Sequence, residues 1–360
     1  MNLLSFIGAQ HYETPFDYRT ASAWGANLGN WLILEKWMDS TIFDSYAPGA
    51  IDEWTFSEQA SSPAEALKEH WESWITEDDF VLLSNTHTNH VRIPVGYWAF
   101  IPPDRGEPYI YSDQKAQLER ILGYCKAYGM YAIIDLHGLP GSQNGNDHSG
   151  RKGHIGFFTM YNIRRGIKVV KAIINWMNSL SSDLKSTIAA IEVANEPDVA
   201  DDKLYLLKYY YLKTFKLIRT SPFKVNMMFH DGFKGLKTWR HFLPSKANAV
   251  IDLHPYYAFP PVKETNAIID GIRSCKKPAK DFHLPVFYGE WSLASGVSSN
   301  TLWLKTMMDS QISVFKATGA GGTFWTIKNK INSNVWSFEH LVREGVVTPE
   351  TFKYHPKAQC

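Results

Sequence analysis

The sequence predicts an α/β fold, a single (β/α)8 barrel domain over residues 1–360, with residues 1–22 as a lead-in segment. Three observations carry this. Eight short apolar runs recur along the chain, and seven of them are followed by a segment long enough for a helix. No linker or break in composition divides the 360 residues, a length that fits one large barrel. Polar residues collect where the apolar runs stop, and a barrel builds its site at the C-terminal ends of its strands. A doubly wound sheet would need a glycine-rich turn after the first strand. The glycines at positions 25 and 29 lack that spacing.

Taken in order, residues 1–22 are mixed in character and read as a surface lead-in. Residues 23–28 (AWGANL) form the first strand, with Asn27 and Glu35 near its end. Residues 38–74 hold Trp54, Trp71 and Trp74 in a long connection of poor periodicity. Thr76, with Asp79 three residues on, opens a helix in capping-box style. Residues 90–95 (HVRIPV) are the second strand. Arg92 lies inside it, and an inward-facing arginine is costly unless a carboxylate meets it. Leu118, Ile121, Leu122 and Cys125 form one stripe of a helix over 112–128, with Gly129 as its C-cap.

Residues 130–136 (MYAIIDL) are the third strand, ending at His137. The loop over 138–150 is rich in glycine and short polar residues but lacks the Gly-Lys-Ser/Thr of a phosphate loop. A helix over 161–180 leads to the fourth strand, 187–194 (TIAAIEVA), which stops at Asn195-Glu196-Pro197. An aromatic-rich helix over 201–219 precedes the fifth strand, 225–229, which ends at His230. The sixth strand, 249–253, ends in His254-Pro255-Tyr256-Tyr257-Ala258-Phe259, and a helix covers 264–274. The seventh strand, 285–288, ends at Gly289-Glu290-Trp291. A helix over 300–317, an eighth strand over 322–326 with Trp325 in it, and a helix over 336–345 complete the chain.

Composition narrows the function. A net charge of +1 gives no electrostatic case for nucleic acid or an anionic membrane. No apolar run approaches the ~18 residues of a spanning helix, so no membrane insertion is expected. Cys125, Cys275 and Cys360 lack zinc-ligand spacing, and haem or iron–sulfur motifs are missing. The 13 Trp, 18 Tyr and 20 Phe tilt toward carbohydrate, because aromatic faces stack on the C–H faces of sugar rings. The first residues show no basic n-region or long apolar core, and no Asn-x-Ser/Thr sequon occurs. A cytoplasmic location is the expectation, with a secreted protein whose signal has been removed as the alternative.

Glu196 and Glu290 end strands four and seven, roughly opposite across a barrel mouth. Most glycosidases need two carboxyl groups flanking the scissile bond: about 5–5.5 Å apart for retention, about 6.5–9.5 Å for inversion. In a retaining pair one stays ionised to attack, and the other, its pKa raised by its negative neighbour and by burial, donates a proton. Arg92 and Tyr256 are candidates to hold the ionised member. Asn195 is placed for a sugar 2-hydroxyl, His137 and His254 for other hydroxyls or for orienting the carboxylates, and Trp325 for a platform under the ring.

These stretches together resemble glycoside hydrolase family 5, and within it the fungal exo-β-1,3-glucanase and β-glucosidase branch. The matching segments are NLGNWLILEKW (27–37), HVRIPVGYW (90–98), IIDLHGLPGSQNGNDHSG (133–150), IEVANEP (191–197), HPYYAF (254–259), YGEW (288–291) and GGTFWTIKN (321–329), in family order. The resemblance implies a retaining exo-acting hydrolase of terminal β-D-glucosyl units, without metal or organic cofactor. It implies Glu196 as acid/base and Glu290 as nucleophile. Arg92, His137, Asn195, His254 and Tyr256 then line the −1 subsite, Glu35 binds the terminal sugar and Trp325 stacks on it. One departure bears on substrate. These relatives commonly carry an aromatic where this chain has Asn146, forming a +1 clamp with the residue matching Phe259. An intracellular β-glucosidase of a small glucoside or glycolipid is therefore the alternative substrate reading. A barrel recruited to transglycosylation or to other acid/base chemistry is a second alternative.

Overall fold

The structure, a computed structural model, describes residues 13–258, 264–273, 279, 281–331 and 333–353. Eight parallel strands close into a barrel in sequence order. They are β1 (Ala23–Asn27), β2 (His90–Gly96), β3 (Tyr131–Gly138), β4 (Ile188–Glu192), β5 (Asn226–His230), β6 (Ala249–Asp252), β7 (Val286–Trp291) and β8 (Gly321–Phe324). All eight expected strands are present, and their bounds shift by a few residues. Pairing of Ala23 with Gly321 and of Gly25 with His90 ties the first strand to its neighbours on both sides. Strand β4 stops at Glu192, so Asn195 and Glu196 stand just beyond it in the mouth.

Helices cover the strands because their apolar residues recur every three or four positions. Met160–Ser179 buries Ile163, Val169, Val170, Ile173, Ile174 and Met177, and Thr159 caps its start by accepting from the Asn162 amide at 3.3 Å. Gln114–Ala127 buries the expected Leu118, Ile121, Leu122 and Cys125, and Gly129 follows it at φ +66°. Before Glu77–Asn85, the Asp79 carboxylate accepts from the Thr76 amide at 2.8 Å, as the capping-box spacing predicts. Among the described residues no helix is long and apolar enough to cross a membrane.

Two expectations need correction. The connection over 38–74 contains three helices, Thr41–Tyr46, Glu53–Gln59 and Pro63–Trp74. The first two are too short to show a period, and the second is marked instead by its cap, Asp52, accepting from the Thr55 amide at 2.8 Å. They brace the loop after β1: the Trp31 indole donates to Trp71 O at 2.8 Å and the Trp74 indole to Gly29 O at 2.9 Å. Nor is the lead-in all surface. Phe16 and Tyr18 are buried in one cluster with Ala23, Ile133, Met228, Val250 and Phe287. Asn226 fixes the segment by donating to Phe16 O at 2.8 Å. These aromatics plug the barrel at the end opposite the polar mouth.

Candidate active site

At the mouth lies a cavity of about 900 Å³, with Glu35, His137, Asn146, Glu196, His254, Tyr256, Glu290 and Trp325 in its wall. Eight of the eleven candidate residues therefore line one space. Arg92 and Asn195 lie directly beneath it, and Phe259 falls outside the described residues. Sequence reasoning missed Trp37, Asp147, His148, Phe233 and Trp336, which complete the wall.

The floor is organised by Arg92, fully buried on β2. Its Nη1 donates to Glu290 Oε1 at 2.9 Å and to Asn27 Oδ1 at 3.0 Å, and its Nη2 to Asn195 Oδ1 at 2.9 Å. Its Nε donates to Glu192 Oε2 at 2.7 Å, and Nη2 lies 3.1 Å from Asp135 Oδ2. The sequence called for one carboxylate to meet this arginine, and the structure brings Glu290, Glu192 and Asp135 within 3.1 Å. Burial works against its charge, but Asp135, Glu192, Glu290 and Asp252 outweigh that and raise its pKa. Glu290 is gripped on its other side too: Tyr256 Oη donates to Oε2 at 2.9 Å. Charge-assisted bonds on both oxygens fix its rotamer.

Two Asp-Leu-His triplets, one at the end of β3 and one at the end of β6, build the next layer. Residues two apart on a strand share a face, so each aspartate meets its histidine. Asp135 Oδ2 lies 2.7 Å from His137 Nδ1, and Asp252 Oδ2 lies 3.0 Å from His254 Nε2. Asn195 Nδ2 lies 3.2 Å from His137 Nε2, which places the His137 proton on Nδ1, toward Asp135. His137 stacks on Trp325, with ring centroids 5.5 Å apart and planes 10° apart. Gly289 is needed for closeness. A Cβ there would collide with the Asp252 carboxylate, which accepts from the Gly289 amide at 2.6 Å. Gln143, also missed, stitches β3 to the segment after β4 by donating to His137 O at 2.6 Å and Asn195 O at 2.9 Å.

Glu196 adopts φ +42°, an uncommon backbone for a residue with a Cβ. This carries its carboxylate over His254, whose Nδ1 lies 2.8 Å from Glu196 Oε1 and 3.6 Å from Glu290 Oε2. Adding 2.8 Å and 3.6 Å, those two oxygens are at most 6.4 Å apart. That bound on one oxygen pair brings the two carboxyl groups together at one histidine, as a glycosidase pair requires.

The raised Glu196 pKa expected from the sequence is corrected by its neighbours. Burial alone would raise it, but the His254 hydrogen bond and charge, with His148 and His230, outweigh burial and lower it. His254 moves the other way: burial would lower its pKa, and the carboxylates of Glu290, Asp252 and Glu196 carry it well above the usual value. In the open site the proton of this pair rests on His254. Glu35 behaves differently. Burial raises its pKa well above the ordinary value, against the Trp37 indole that donates to Oε2 at 2.9 Å. Its Oε1 is buried without a protein partner among the described residues, at the edge of the cavity that Glu35 lines.

Two groups in the described residues bring possible metal-ligand atoms within 4.8 Å: Glu196 with His230 and His254, and Glu192 with Asp252 and His254. Both nitrogens of His254 already face carboxylates, and His230 Nδ1 accepts from the Gly232 amide at 3.0 Å. Both read as hydrogen-bond networks.

The comparisons with known proteins agree with this geometry. The family model described as cellulase (glycosyl hydrolase family 5) matches residues 56–331. The chain belongs to glycosyl hydrolase family 5. It is 36% identical over 276 residues to a probable glucan 1,3-beta-glucosidase A of Emericella nidulans, covering 74% of this chain and 66% of that protein. It is 31% identical over 373 residues to glucan 1,3-beta-glucosidase 1 of Schizosaccharomyces pombe, covering 94% and 90%. The crystal structure of rutinosidase from Aspergillus niger superposes with a TM-score of 0.86 at 26% identity, covering 92% of this chain and 99% of that one.

Proposed function

We propose that the protein is a retaining, exo-acting β-glucosidase of the glucan 1,3-β-glucosidase type, releasing terminal β-D-glucosyl units. The observation that carries this is the pair itself: Glu196 and Glu290 converge on His254, at 2.8 Å and 3.6 Å from its Nδ1, in the cavity of a family 5 barrel, and that family supports retention. Glu290, held by Arg92 and Tyr256, attacks the anomeric carbon as the glycosidic bond breaks. The leaving oxygen takes the proton of Glu196, and a glycosyl ester of Glu290 remains. Water then attacks that carbon, gives its proton to Glu196, and frees Glu290. When a sugar covers the mouth and displaces water, the neutral His254/Glu196-H arrangement gains over the ion pair, which delivers the acid's proton to where it is used. Glu35, with its free buried oxygen, suits the hydroxyls of a terminal sugar and supports exo action. Trp325 offers its face to the ring.

A small β-glucoside in place of a linear glucan is favoured by one observation: Asn146 in the cavity wall removes one aromatic face from the leaving-group side. The experiment is a panel of β-1,3-glucan, β-1,6-glucan and aryl, alkyl and lipid β-glucosides with wild type, Glu290→Gln and Glu196→Gln. Loss of turnover by ~10³-fold or more in Glu290→Gln is expected. Turnover that survives in this variant ends the covalent mechanism, and a wild type that cleaves no glucoside ends the glycosidase reading.

A further inference from the structure

The leaving-group side of Glu196 holds a second histidine. His148 Nε2 lies 3.6 Å from Glu196 Oε2, the oxygen that His254 does not occupy. That is too long for a full hydrogen bond and close enough for an N–H on Nε2 to favour a negative charge on the carboxylate. A short turn, Asp147–Ser149, holds His148 in place. Ser149 Oγ donates to Asn146 O at 2.7 Å and lies 2.7 Å from Ser142 Oγ, and the Gly150 amide donates to Asp147 O at 2.8 Å. The ring stands edge-on to His137 with centroids 5.3 Å apart. Its other nitrogen, Nδ1, is buried without a partner among the described residues.

That orphan nitrogen decides the tautomer. A hydrogen on Nδ1 would be a buried donor with nothing to meet, whereas a hydrogen on Nε2 faces a carboxylate. An N–H aimed at Oε2 favours ionised Glu196. When Glu196 carries its proton on Oε2, the same N–H keeps that hydrogen from turning toward His148. The remaining direction on Oε2 is the open cavity, where a leaving oxygen would lie. The titratable groups facing His148 are Glu196 from the end of β4, His137 from β3, Glu290 from β7 and Asp147 from its own turn. Burial, ahead of these, lowers the His148 pKa and keeps it neutral.

We propose that His148 is a positioning residue for Glu196. Through Nε2–H it lowers the pH at which the acid gives up its proton and aims that proton at the leaving group. This rests on the glycosidase reading above.

The test compares wild type, His148→Ala and His148→Gln on an alkyl β-glucoside, whose leaving group needs a proton, and on 2,4-dinitrophenyl β-glucoside, whose leaving group does not. In His148→Ala the alkaline limb of kcat/KM should move up by about half a pH unit or more. The alkyl substrate should lose ~10-fold or more in kcat/KM, and the dinitrophenyl substrate less than about threefold. His148→Gln, which restores an N–H at similar reach, should bring the limb back toward wild type. A limb that stays in place, or equal losses on both substrates, overturns the proposal. Retained cleavage of the dinitrophenyl substrate shows that the variant is folded. A wild type that cleaves neither substrate removes the glycosidase reading itself, and His148's role with it.

Discussion

Arg92 and Glu192 meet inside the barrel at 2.7 Å, and neither side chain is exposed to solvent. Glu192 competes with Asp135 at 3.1 Å and Glu290 at 2.9 Å for the same guanidinium. One positive charge cannot balance all of them. Burial, with repulsion from Asp252 and Asp135, raises the Glu192 pKa well above normal despite the pull of Arg92. Glu192→Gln should therefore cost less than about tenfold in kcat, because it imitates a protonated neighbour. Arg92→Met should cost more than ~10²-fold in kcat and ~3–5 kcal/mol in stability, because it strands buried carboxylates. Steady-state kinetics and urea unfolding at pH 6 check both.

Asp252 gives an acid-stability prediction. Burial would raise its pKa, but the His254 charge and hydrogen bond and the Arg92 charge lower it to about 2. A depressed folded-state pKa contributes stability that is full above the unfolded value, near pH 4, and is lost as pH falls toward 2. The loss from this group is on the order of 2 kcal/mol. Asp252→Asn should be less stable at pH 6 yet decline less steeply between pH 4 and 2. Melting temperature against pH, measured for both proteins, reads the difference.

Asn146→Phe tests the leaving-group wall. The cavity already carries Phe233 and Trp336 in its lining, and a second aromatic wall at 146 would favour a glucosyl leaving group through ring stacking. The kcat/KM for β-1,3-linked glucose oligomers should rise about 5- to 10-fold, corresponding to ~1 kcal/mol. The value for an alkyl glucoside should change less than about twofold. Parallel assays of both substrates give the ratio.

Phe16→Ala should separate fold from catalysis. Phe16 packs edge-on to His90 with centroids 4.4 Å apart, at the closed end of the barrel. Removing it should lower unfolding free energy by ~3 kcal/mol and leave KM unchanged. Denaturant melts beside KM measurements make the comparison.

The strands and the glutamate pair were legible in the sequence because buried parallel strands are short apolar runs, and a charged residue closing such a run stands out. Glu196 and Glu290 announce themselves that way, Trp325 stood out as a platform in the last strand, and the ordered family stretches gave Glu35 its expected part in binding the terminal sugar. The supporting carboxylates were written equally plainly. Asp135, Glu192 and Asp252 each interrupt an apolar run, and Asp-Leu-His occurs before both Gly138 and Pro255. Their meaning was hidden because nothing local says that three strands aim at one arginine. Of the helices within 38–74, Thr41–Tyr46 and Glu53–Gln59 were missed because they are too short to show a period, and Pro63–Trp74 is tied down by contacts with Trp31 and Gly29 that are distant in sequence. The direction of the Glu196 shift depends on His254 and His148, 58 and 48 positions away in the chain, and distance along the sequence carries no charge information.

Arg92 is also a gauge of assembly. Its five donors engage residues from β1, β3, β4, the segment just after β4, and β7, and only the native register presents Asn27, Asp135, Glu192, Asn195 and Glu290 to it together. A barrel closed one residue out of step would turn those side chains outward and leave a bare cation in its centre. The same guanidinium that holds Glu290 thus penalises misassembled chains, so a chain that closes stably is already one in which the carboxylate proposed as nucleophile is in place.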